Sequence, residues 1–213
     1  MAENFVIPKA FTKEWFSYVW DYYRYHILIG IAVIALAIYT VVEYKTTTKY
    51  DDNINFVSTS IITQESANEI AQKCAEASAD LDGNNEVNIS FSQLNFTEEN
   101  LKDVSLYSTM MNKLMATFAT EDEFIYIVDE KMMNDIVNMA STEGLFVPIN
   151  QWAGTKNADD IFAISLASSS VFENTGIDVS DKFIMIRECY NTDDDRLKLK
   201  QENAINIAKF LIK

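Results

Sequence analysis

The densest run of metal-capable oxygens is Asp80-Leu81-Asp82-Gly83-Asn84-Asn85-Glu86. Asp80, Asp82, Asn84 and Glu86 recur at alternate positions, the spacing by which calcium loops converge oxygens on one hard cation. An EF-hand loop opened at Asp80 wants glycine sixth and glutamate twelfth; this chain has Asn85 and Phe91 there. Asp, Asn and Gly are also turn formers. The run therefore reads equally as a plain turn, and no metal is assigned to it.

Other carboxylates carry double readings too. Asp129 closes an apolar run and could be a functional group, because ligands gather at the carboxyl ends of strands in open α/β sheets. It is equally a helix cap. Ser58, Thr59 and Ser60 end an earlier strand and join Asp129 as the candidate ligand or partner edge. Asp193-Asp194-Asp195 stands where a helix begins, a place that favours negative charge. Paired acids suffice for glycoside hydrolysis, so Asp129 with Asp80 or Glu130 defines a carboxylate-only hydrolase as the enzymatic alternative. No spacing shows that two of them converge. No catalytic residue is assigned, and the expectation is a protein without enzymatic activity.

Several chemistries are excluded by what is missing. The single histidine, His26, abuts a long apolar segment. A Ser-His-Asp site, a Cys-His site or a His-rich metal site in the rest of the chain is ruled out. The five glycines, Gly30, Gly83, Gly144, Gly154 and Gly176, are scattered. A P-loop or dinucleotide loop needs them clustered. No cofactor is expected. Cys74 and Cys189 lack CxxC spacing and are too few for a disulfide scaffold. Two unpaired thiols are expected, with a cross-domain disulfide as the alternative.

Charge narrows the partners. Net charge is −15. Lys9, Lys13 and Arg24 balance Glu3, Glu14 and Asp21, so all of the excess lies beyond the apolar segment. Such a surface repels phosphate backbones, and nucleic acid is not expected as a partner. With 48% hydrophobic and 23% charged residues the chain is foldable rather than disordered.

The elements that would position these residues begin with the apolar segment. Tyr25 to Val42, YHILIGIAVIALAIYTVV, carries no formal charge. A helix needs about 20 apolar residues to cross the hydrocarbon core, with a range down to about 17. Residues 25–44 are read as a transmembrane helix, an uncleaved signal-anchor without a small-residue cleavage site. Residues 1–24 are read as a cytoplasmic juxtamembrane helix whose aromatics, from Phe11 to Tyr23, face lipid or a docking membrane protein. The flanking cations, Lys9, Lys13 and Arg24 against Lys45 and Lys49, place the N-terminus in the cytoplasm. Residues 45–52 are read as a linker, and residues 53–213 as an extracellular domain.

In that domain strands are expected at Ile54–Thr59, Val87–Phe91, Phe124–Val128, Ile161–Ala167 and Lys182–Ile186. Helices are expected over Gln64–Ala79, after Thr97, after Asp129 and after Asp195. The helix after Thr97 would bury a stripe through Leu101, Val104, Ser108, Met111, Met115 and Phe118. The one after Asp129 would bury Met133, Ile136, Val137 and Ala140. The last would bury Leu197, Ala204, Ile207, Ala208 and Leu211. Strand and helix alternate, which implies a single three-layer α/β domain around a mainly parallel sheet.

Met110 to Ile149 contains a helix, a strand ending at an acidic residue, a short helix and the turn Gly144-Leu145-Phe146-Val147-Pro148-Ile149. This stretch resembles one lobe of bacterial extracellular solute-binding proteins of ABC importers. Phe162–Leu166 and Ala204–Ile212 fit the same lobe. The chain also resembles single-pass proteins of unknown function from low-GC Gram-positive bacteria. The resemblance implies one lobe only. In that family the chain leaves the first lobe, builds a second and returns, burying ligand between the two. Here only Ser168 to Asp181 separates the last two strands. Small-molecule binding is therefore expected to be weak or absent, and this loop is expected to be dispensable for folding.

The reading that follows is a membrane-anchored extracellular binding or scaffold module, non-catalytic, touching membrane lipid and a membrane or cell-surface protein. The alternative is a ligand-sensing accessory subunit of an ABC-type transporter.

Overall fold

A computed structural model describes residues 9–46, 49–120, 122–139, 144–154 and 161–213. The chain divides into two units, Met1–Thr48 and Lys49–Lys213.

The first unit is one helix, α1 (Lys13–Thr46), of 34 residues. At 1.5 Å per residue it is about 51 Å long, against about 30 Å of hydrocarbon. Among the described residues, Lys13–Glu43 is the one helix long and apolar enough to cross a membrane, with a mean hydropathy of 2.3 and none of its apolar window buried. The aromatic segment and the apolar segment are not two helices. Nothing between Lys13 and Gly30 breaks the ladder: neither proline nor glycine occurs there. The start is set instead by Thr12, whose Oγ1 accepts from Trp15 N at 3.3 Å, after Phe11 at φ 65°. At the other end the helix runs through Thr46, inside the expected linker.

The second unit is a five-stranded sheet in the order β2-β1-β3-β5-β4. The strands are β1 (Asp52–Ser58), β2 (Ile89–Asn95), β3 (Ile125–Asp129), β4 (Ala163–Ser165) and β5 (Lys182–Ile186). β1 pairs in parallel with β2 and with β3, whereas β5 pairs antiparallel with both β3 and β4. The sheet is thus mixed: parallel on one side, reversed at β5. The β4–β5 connection carries a short 3-10 turn at Ser170–Phe172 in place of the crossover helix usual between parallel strands.

Alternation along the strands sends side chains to two cores. Ile54 and Phe56 of β1 and Ile125 and Ile127 of β3 pack under α2 (Gln64–Ala75) and α7 (Asp195–Leu211). Val57, Tyr126 and Val128 pack under α4 (Val104–Ala119) and α5 (Glu130–Met139). Three layers result, as the alternating pattern implies. Two short helices, α3 (Glu98–Lys102) and α6 (Ile149–Trp152), complete the unit.

Several expected details shift. β2 continues through Ser92, Gln93 and Asn95, polar residues that an edge strand tolerates. The helix after Thr97 is two helices. Asp103, at φ −95° and ψ 108°, ends α3 and caps α4 by accepting from Ser105 N and Leu106 N. Val104 is consequently 80% exposed, while Leu114 joins Met111 and Phe118 inside. α5 is rotated by one residue from its expected face: Met132 and Ile136 are buried and Val137 is exposed. Ala140 lies outside the described residues. α7 follows the expected stripe, with Ala204, Ile207, Ala208 and Leu211 buried and Leu197 packed at their margin.

The loop Ser168–Asp181 is not a surface appendage. Val171, Phe172 and Ile177 are part of the core under α2 and α7. Lys73 of α2 donates to Val171 O at 2.9 Å. This differs from the expectation that the loop is dispensable for folding, because three of its side chains fill the apolar layer beneath α2 and α7.

Candidate functional site

The structure brings Ser58, Thr59, Ser60 and Asp129 together. β1 and β3 run parallel, so their carboxyl ends share one rim of the sheet. Asp129 is 2% exposed, Ser58 fully buried and Ser60 exposed. Asp129 Oδ2 accepts from Thr59 N at 2.7 Å, Thr59 Oγ1 at 2.9 Å and Ser58 Oγ at 3.3 Å. Its Oδ1 accepts from Met132 N at 2.8 Å, the N-cap bond of α5. In all, Asp129 accepts four hydrogen bonds, three on Oδ2 and one on Oδ1. Both readings of Asp129 thus meet in one residue: it lies on the rim, and its work there is to cap α5 and tie down the β1–α2 loop.

The rest of that loop is held as firmly. Ser58 Oγ and Ser60 Oγ are 2.8 Å apart. The Gln93 side chain brackets Ile62, accepting from its N–H at 3.4 Å and donating to its carbonyl at 3.3 Å. Beside Asp129, the Lys182 ammonium is buried and paired with Asp181. The rim offers a rigid polar edge, with Ser60 and Thr59 as its accessible groups.

The acidic turn folds differently from a four-ligand loop. Asp80, Asp82 and Asp51 each place an oxygen within 4.8 Å of the others, and Glu86 is not in that group. Asp51 was read as linker, yet it is 3% exposed. The oxygens already hold backbone amides. Asp80 accepts from Gly83 N and Asn85 N, both at 2.7 Å, and Asp51 accepts from Leu81 N at 2.7 Å and Asn88 N at 2.9 Å. The amide of Asn85, then those of Gly83 and Asn84, hold the Asp80 carboxyl below its usual range. Asn84 Oδ1 is turned onto Glu86 N at 2.6 Å. These bonds make the carboxylates the turn's own scaffold.

A third polar cluster was not visible in the sequence. Asp52, the first residue of β1, is fully buried. Its Oδ1 accepts from Asn53 N at 2.9 Å and its Oδ2 from Asn203 Nδ2 at 3.3 Å. Asn203 also accepts from Ala79 N at 2.8 Å and donates to Ser78 Oγ at 2.8 Å, linking α7 to the end of α2. Burial pushes the Asp52 carboxyl up to about 7, against the pull of Asn53, Lys200 and Asn203. Lys200 does not close on it: Lys200 Nζ donates to Asp122 O at 2.8 Å. Burial, then the nearby Asp52, pushes the Cys74 thiol up to about 12. Cys74 and Cys189 are both buried.

Asp194 of the second acidic run caps α7, accepting from Arg196 N and Leu197 N. Arg187 was also unmarked by the sequence. It is 2% exposed, lies under the Tyr190 ring at 5.4 Å, and its Nε and Nη1 meet no acceptor.

Asp129 and Asp80 are not brought together. Asp129 sits at the carboxyl end of β3, whereas Asp80 groups with Asp51 at the opposite end of β1. Glu130 follows Asp129 with its side chain exposed. No protein-family model matches the chain, and no curated protein or solved structure matches it.

Proposed function

We propose that the chain is a membrane-anchored, non-catalytic module whose α/β domain lies outside the cell and acts through protein contacts. One observation carries the reading: the carboxylates of the strand-end rim and of the acidic turn are engaged by their own backbone. Asp129 caps a helix and ties a loop; Asp80 and Asp51 hold a turn.

The anchor is α1, whose apolar length supports a span across a bilayer. Its N-terminal aromatics, Trp15 to Tyr25, continue the same helix and suit the headgroup level or a neighbouring membrane helix. The orientation rests on the distribution of Lys and Arg and on the acidic charge being confined beyond the span. The short β4–β5 connection supports a single lobe without a closing partner. Such a lobe cannot desolvate a small molecule on both faces.

The test is site-specific photo-crosslinking of the full chain in its native membranes, with the probe at Ser60, Val137 and Leu199 in turn. All three positions are exposed. The reading expects discrete protein adducts from at least one of them. Adducts to lipid alone, or to nothing from any position, would contradict it.

A further inference from the structure

We infer that the apolar groove between α5 and the β4–β5 edge is the surface that receives the partner, and that the partner presents a row of apolar side chains flanked by basic residues. The inference rests on the protein-contact reading above and names its surface.

α5 covers β3 and reaches part of β5, but among the described residues it makes no comparable contact with β4. The gap is a cavity of about 390 Å³ lined by Met133, Val137, Ile161, Phe162, Phe183 and Met185, with Ala163 in the floor. Asn134 is its one polar wall. Ala163 is too small to fill the space above the sheet. Val137 is 40% exposed and Ile161 50% exposed. Apolar residues that meet water along one continuous groove mark an interaction site more than the same residues scattered singly. Met133 and Met185 add side chains that adapt to a partner's shape. An apolar groove of this kind takes an amphipathic segment through anchors at i, i+3 or i+4 and i+7.

Charge selects among such segments. Among the described residues no basic side chain lines the groove. Glu130 stands one helical turn before Asn134 on α5 and is exposed. Its backbone N–H donates to Asp181 O at 3.1 Å, and the Asp181 carboxylate is itself paired with Lys182, which leaves Glu130 as the uncompensated charge at this end. Lys131, the nearby cation of α5, is engaged with Asp135 at 2.8 Å. Lys182 is buried against Asp181. With the chain's −15 confined beyond its apolar segment, a second copy is repelled and a basic-flanked segment is drawn in.

The full chain in nanodiscs of zwitterionic lipid tests this, with empty discs as the background. Three labelled synthetic helices serve as probes: a leucine row with lysine flanks, the same row with glutamate flanks, and the lysine flanks with serine replacing leucine. The inference expects the first to bind at least ten-fold more tightly than the other two by anisotropy. Val137→Asn and Ile161→Asn, both surface changes, should each weaken it at least ten-fold with the melting temperature unchanged. Glu130→Lys should narrow the preference for lysine flanks. Equal binding to Val137→Asn, or equal binding of the lysine and glutamate helices, overturns the inference. Photo-adducts from Ser60 or Leu199 but never from Val137 would overturn the groove while leaving the module reading intact.

Discussion

Asp52→Asn should stabilise the domain at alkaline pH. Asp52 is buried in β1, and its carboxyl is moved from 3.8 to about 7 by desolvation. The folded state therefore binds a proton that the unfolded state has released. Stability from this group is fully present below about pH 4 and is lost as pH rises toward about 7. Each unit is worth about 1.4 kcal/mol, so the ionised carboxylate costs the fold on the order of 4 kcal/mol at pH 8. Lys200 does not cancel that cost, because its ammonium is committed to Asp122. Asparagine removes the charge at nearly constant shape but confronts the Asn203 amide, losing about 1 kcal/mol. A net gain of roughly 2–3 kcal/mol is expected at pH 8 and none at pH 4. Denaturant melts of the full chain and the variant from pH 4 to 8 read the difference directly, since the other carboxylates cancel between the two. A variant less stable than the parent by a constant amount across the range would refute the reasoning. It would mean that Asp52 is charged and favourably paired throughout.

Asp129→Ala should cost about 3 kcal/mol in the same melts, because it strips the α5 cap and leaves Thr59 N–H and Ser58 Oγ without their acceptor; a loss under about 1 kcal/mol would show that the rim is not held by this residue. Phe172→Ala in the β4–β5 loop should cost about 3–5 kcal/mol, the range for emptying a buried aromatic site, whereas a dispensable loop would tolerate it. Millimolar calcium should leave the melting temperature nearly unchanged, since the Asp80 and Asp51 oxygens already accept backbone amides; a rise of several degrees that Asp82→Ala abolishes would show a true site.

How much of this was legible in the sequence differs by residue. α7 was readable because Ala204, Ile207, Ala208 and Leu211 keep a helical stripe, and Asp194 sits where a cap belongs. β3 was readable because FIYIV is apolar on both faces, which only a central strand requires. Thr97 and Asp129 were readable as caps, and the grouping of Asp129 with Ser58 to Ser60 followed from two parallel strand ends sharing a rim. What failed was whatever depends on tertiary partners. Asp103 breaks a helix that the stripe alone runs straight through. Asp51 and Asp52 look like linker, and only their distant partners Leu81, Asn88 and Asn203 explain their burial. Phe172 and Ile177 lie in a segment without periodicity, so nothing local marks them as core. The turn at Asp80 had the right oxygens, but their use on the turn's own amides depends on backbone geometry.

The account turns on which side of the membrane each unit occupies. Cysteines introduced separately at Thr47 and Ser17 can be probed on intact cells with a membrane-impermeant thiol reagent, Cys74 and Cys189 being buried. The account predicts that Thr47→Cys is labelled on intact cells and that Ser17→Cys is labelled only after lysis. Labelling of Ser17→Cys but not Thr47→Cys on intact cells would place the acidic domain inside and contradict it.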